Sequence, residues 1–125
     1  MRHKIITLAC VLPLVAVAGC YSWLVGDCAD NVKSQSVSPD GRYIARLVER
    51  DCGATTDYST VVDLRLSSES LDSHQDNWIL TMPGRHSITL TWQGNTELMI
   101  MLPQSRTVVQ KTAWGDVEVT YQHSN

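Results

Sequence analysis

A surplus of basic residues is missing from this sequence. Its 10 Lys and Arg stand against 13 Asp and Glu, for a formal net charge of −3. An acidic chain with scattered cations has no electrostatic footprint for nucleic acid or for an anionic membrane surface. A sustained helical period is missing too, which argues against a helical bundle. Neither a Gly-x-Ser-x-Gly elbow nor a Gly-rich phosphate loop occurs, so no nucleophile or nucleotide motif supports catalysis. Cysteine is scarce at four residues, and the positions of those four carry the compartment argument.

What is present begins at the N-terminus. Arg2 and Lys4 form a short cationic start, Ile5 to Ala18 runs almost without polar atoms, and Val17-Ala18-Gly19-Cys20 closes the run with small residues before a cysteine. A positive region, an apolar region and a small-residue cleavage site make a secretory signal. The closing four residues resemble the lipobox of bacterial lipoproteins, which implies acylation of Cys20 as the first residue of the mature chain. Tyr21 after it, rather than an aspartate, resembles lipoproteins sorted onward to an outer membrane. The competing reading is an uncleaved inner-membrane anchor: Ile5 to Gly26 is 22 residues, long enough to span a bilayer as a helix. Tyr21 and Trp23 would suit its interface. Both readings leave residues 27–125 outside the cytoplasm.

Removing residues 1–19 from 125 leaves 106, the size of one domain. The removed segment holds Arg2, Lys4 and no acid, so −3 becomes −5. The expected division is a signal over 1–19, a lipidated tether over 20–30 and a single β-domain over 31–125. Cys10 leaves with the signal and Cys20 takes the lipid. Cys28 and Cys52 are left as an even pair in an oxidising compartment, where a disulfide is expected.

The strand pattern supports that pairing. Val32 to Val37 reads as a weak edge strand. Ser38-Pro39-Asp40-Gly41 is a turn in which Pro fixes φ and Gly accepts a positive φ. A three-residue loop would set Ser38 opposite Arg42, so that facing positions add to 80, as 28 and 52 do. Arg42 to Arg50 follows, with Tyr43, Ala45 and Leu47 on one face. Ser59 to Ser67 alternates as a half-buried strand, Val62, Leu64 and Leu66 against Val61, Asp63 and Arg65. Ser68 to Asn77 is a polar loop. Trp78 to Met82 is a short strand ended by Pro83-Gly84, and His86 to Trp92 alternates with Ile88, Leu90 and Trp92 inward. Gly94-Asn95 makes a hairpin into Glu97 to Leu102, apolar on both faces as a strand covered twice would be. Thr107 to Lys111 and Val117 to Gln122 form a final pair. Short strands with turn signals between them predict an all-β fold, a small antiparallel meander forming a sandwich or partly open barrel after an N-terminal signal helix.

Ser38 to Ala45, followed by Asp51-Cys52-Gly53-Ala54-Thr55-Thr56, resembles a pattern in short exported bacterial proteins and lipoproteins of an uncharacterised family. That resemblance implies a compartment and a domain type, and brings no active-site residue with it.

Candidate sites are few. Asp72, His74 and Asp76 sit in the polar loop and would offer ligands to a divalent ion, although a metal site needs more donors at fixed geometry. His86 falls at the core margin, and His123 in a tail expected to fray. Trp78, Trp92 and Trp114 would make an aromatic binding face if exposed together. The sequence therefore predicts a lipid-anchored envelope protein, facing the periplasm and acting by binding or as a structural component. It needs no cofactor or metal. The alternative is an inhibitor of an exported toxin or hydrolase that presents residues 68–77, and a hydrolytic enzyme comes last.

Overall fold

The Ser38-Pro39-Asp40-Gly41 turn is where the chain first folds back on itself. In the computed structural model, which describes residues 28–69 and 77–124, the Ser38 hydroxyl donates to Asp40 Oδ1 at 2.8 Å and accepts the Tyr43 N–H at 3.0 Å. That bond from Ser38 holds the Asp40 carboxyl below its ordinary value. Gly41 sits at φ +77°, the left-handed region that a side chain would strain. The loop is one residue longer than the sequence suggests. Ser38 N–H donates to Tyr43 O at 2.9 Å, so Ser38 faces Tyr43 and not Arg42.

The turn joins β1 (Ala29–Val37) to β2 (Tyr43–Asp51). Next to the turn the facing positions are Val37 with Ile44 and Ser34 with Leu47; beyond a bulge at Lys33 they are Val32 with Val48 and Ala29 with Asp51. The extra loop residue and the extra strand residue cancel. Cys28 and Cys52 therefore meet after all, with their Cα atoms 4.1 Å apart and their sulfurs bonded. Pairing starts at Ala29, inside the stretch expected as tether. Arg50 Nη1 donates to both carboxylate oxygens of Asp30 at 3.1 Å, which gives this poor strand sequence a cross-strand partner.

Antiparallel pairing continues through β3 (Ser59–Leu66) and β4 (Trp78–Pro83) and reaches the two-residue β7 (Val109–Gln110), making a five-stranded sheet in the order β1-β2-β3-β4-β7. The second sheet holds β5 (Thr89–Gly94), β6 (Glu97–Pro103), β9 (Val117–Ser124) and β8 (Ala113–Trp114), in that order. Gly94 faces Glu97, so the β5–β6 loop is Asn95-Thr96. The fold is an all-β sandwich, open at its edges.

It departs from a pure meander at the C-terminal end. Residues 107–111 and 117–122 do not pair: β7 joins β4 across the sandwich, and β8 joins β9. This excursion through β7 and β8 lets β9 enter parallel to β6, Leu98 beside Val119 and Leu102 beside His123. His123 is thus a strand residue and not part of a frayed tail.

The core lies between the sheets. Leu47, Val62, Leu64, Leu80 and Met82 from the first face Leu98, Ile100, Leu102, Val117 and Val119 from the second. Two side chains tie the layers together. Trp92 Nε1 donates to Ser36 O at 3.0 Å, and the Tyr121 hydroxyl lies between Ile79 O and Lys111 O at 3.2 and 2.5 Å. Burial pushes the Tyr121 phenol up to about 12.

Two burial patterns reverse the expectation. Met99 and Met101 are only half-buried, so β6 is covered on one face. β3 is instead buried on both, with Val61 at 2 % exposure and Asp63 and Arg65 at 1 % on the side away from the core. There Arg46, directly opposite Asp63, forms a two-pronged ion pair, Nε to Oδ1 at 2.9 Å and Nη2 to Oδ2 at 2.6 Å. The Asp63 hydrogen bond raises the Arg46 guanidinium further above its ordinary value, so it stays charged.

Candidate functional site

An inward charge at the end of an apolar stripe marks the site. Along β2, Tyr43, Ala45 and Leu47 point into the core, and the next residue on that face is Glu49. A carboxylate there needs a partner, because burial without one is costly. Two cations supply it. Arg85 Nε forms an ion pair with Glu49 Oε1 at 2.9 Å, and Lys33 Nζ lies 3.7 Å from Oε2. Lys33 arrives by the β1 bulge and Arg85 by the Gly84 corner between the sheets. Gly84, at φ +86°, donates its N–H to Tyr58 O at 2.6 Å and accepts the Thr60 hydroxyl at 2.7 Å. The same corner lays the Arg85 guanidinium 3.6 Å from the centre of the Tyr58 ring, a stacked cation.

These residues line a groove of about 390 Å³ at the mouth of the sandwich, floored by Leu47 and Ile88, each 8 % exposed. It continues past Lys33, Glu49 and Arg85 into a second arm of about 380 Å³ bounded by Asp30, Asn31 and Asp51. The volume suits a small ligand. The first arm offers donors from Lys33 and Arg85, whereas the second offers acceptors from Asn31 and Asp51. Arg50 engages Asp30, and Asp51 Oδ1 accepts the Gly53 N–H at 3.0 Å.

No family model, curated protein or solved structure matches this chain. The groove therefore has to be read from its own chemistry.

Of the residues singled out in the sequence, His86 lies in the groove. It is half-buried, its ring Nε2 is 2.7 Å from Pro83 O, and its backbone N–H donates to Thr60 Oγ1 at 3.0 Å. Among the described residues Nδ1 has no hydrogen-bond partner, and the residue sits at the core margin where the sequence placed it. The three tryptophans do not form one face. Trp92 stacks on Tyr43 and Trp114 meets the same ring edge-on, each at 6.2 Å between centres. Trp78 stands apart under the Arg50 guanidinium, 5.1 Å away. Asp72, His74 and Asp76 lie outside the described residues, as does Cys20. Among the described residues no group of three or more His, Cys, Asp or Glu is placed to hold a metal ion, and no helix is long and apolar enough to cross a membrane.

Sequence reasoning missed Lys33, Glu49, Tyr58 and Arg85. One signal was there to find: the period of two that selects Tyr43, Ala45 and Leu47 selects Glu49 next, and a charge continuing an inward stripe marks the open end of a sandwich. Nothing local in the sequence brings Arg85 or Tyr58 to it.

Proposed function

We propose that this chain is an exported bacterial lipoprotein, cut before Cys20, acylated on that sulfur and held on the outer membrane facing the periplasm. There its β-domain works by binding, through the groove around Glu49 and Arg85. The observation that carries the reading is the leader, a cationic start and an apolar run ending in Val17-Ala18-Gly19-Cys20. The Cys28–Cys52 bond supports it, because disulfides persist in exported proteins and are rare in a reducing cytosol. Covalent lipid holds by burial of its chains, and stable attachment takes more than one. The groove supports a binding role: its central carboxylate, Glu49, holds two partly exposed cations in place at the rim.

Growing cells on an alkyne fatty acid tests the anchor. The native chain takes up label and the Cys20→Ser variant takes up none. A native chain without label contradicts the proposal.

A further inference from the structure

Arg85 is held without being used up. Its Nε is paired with Glu49 at 2.9 Å and its guanidinium lies over Tyr58, whereas its two terminal nitrogens have no hydrogen-bond partner among the described residues and its side chain is 58 % exposed. A guanidinium fixed at one end and through its face presents its outer edge in a set orientation, as two-pronged recognition of a carboxylate requires. Lys33 stands across Glu49 with its side chain 45 % exposed and a single contact, at 3.7 Å. Two cations thus share one carboxylate, leaving positive charge on this side of the groove. Below them the floor is apolar, Leu47 and Ile88. The other arm is lined by Asn31, which faces Glu49 across the strand pair, and by Asp51, the next residue after Glu49 on its face of β2.

That polarity, donors and a greasy floor at one end and acceptors at the other, matches the end of a polypeptide. We infer that the groove binds the C-terminal residue of a peptide. The free carboxylate meets Arg85 and Lys33, a short apolar side chain rests on Leu47 and Ile88, and the preceding amide N–H groups point toward the acidic arm. Phosphate would suit the cations equally but leaves the floor and the acceptors without a role. The inference rests on the groove being the domain's binding site. It is independent of the anchor, since acyl labelling and ligand binding fail separately.

The test is a titration of isotope-labelled, full-length exported protein in detergent with acetyl-Ala-Ala-Leu bearing a free carboxylate, followed by backbone amide shifts. Saturable shifts are expected at Leu47, Glu49, Arg85 and Ile88. The amidated peptide binds at least tenfold more weakly, as does the free peptide to Arg85→Ala, and Arg85→Lys loses most of the affinity because charge without the fork is insufficient. Arg85 is exposed, so these variants fold, and unchanged shifts elsewhere in their spectra verify it. The proposal is overturned if the amide binds as well as the acid, if Arg85→Ala leaves affinity unchanged, if acetate alone gives the same shifts at the same concentration, or if the groove does not respond.

Discussion

Asp63→Asn is expected to lower the free energy of unfolding by about 3–5 kcal/mol. The substitution keeps size and one acceptor but removes the charge that faces Arg46. Asp63 is 1 % exposed and Arg46 6 %, so the orphaned guanidinium has no water to turn to. Arg65, on the same face of β3 and also 1 % exposed, adds a second guanidinium to that layer. A domain of this size is stable by about 5–15 kcal/mol in all, so the loss is a large share of the total. The companion variant separates the cost of breaking the pair from the worth of having it. Replacing both partners, Arg46→Met with Asp63→Leu, removes the need to desolvate either charge and is expected to stay within about 1–2 kcal/mol of the native chain. Urea unfolding reads both. A cost under about 1 kcal/mol for Asp63→Asn would mean that water reaches the pair, and β3 would not be buried on both faces.

The second large effect belongs to the crosslink. Cys28→Ser with Cys52→Ser is expected to cost about 3–4 kcal/mol, from the loop-closure entropy that a bond across 24 residues removes from the unfolded chain. The loss should show first in β1. That strand is exposed along nearly all its length and pairs on one side only, so few apolar contacts hold it once the staple is gone. Amide exchange at Ala29 to Val32 should rise toward the unfolded rate while β3 and β6 keep their protection relative to global stability. Equal loss of protection in all three strands would show that β1 folds as one unit with the core, and a cost below about 1 kcal/mol would show that the bond does little.

How far the sequence reaches can be judged from these same residues. The Ser38–Gly41 turn, the alternation in β2 and β5 and the parity of Cys28 with Cys52 are local or arithmetic signals, and each points to the sandwich that is found. The Cys28–Cys52 register was right for an incomplete reason, since a bulge at Lys33 offsets the longer turn and neither leaves a mark in the residues. Asp63 and Arg65 look like a solvent face by residue type. Only their position opposite Arg46 and under burial shows otherwise, and burial is a property of the whole fold. The parallel β6–β9 pair depends on β7 and β8, two residues each, too short to carry a period. The groove was half legible: Glu49 stands on an inward stripe, whereas Tyr58 and Arg85 come to it through a corner between two sheets.

The mass of the intact protein, extracted from membranes without reduction, tests the whole account most directly. The predicted species starts at Cys20, carries added acyl chains, and is lighter by two hydrogens than its reduced form, for the Cys28–Cys52 bond. A product starting at Met1 with unmodified cysteines would contradict cleavage, lipid anchor and crosslink together.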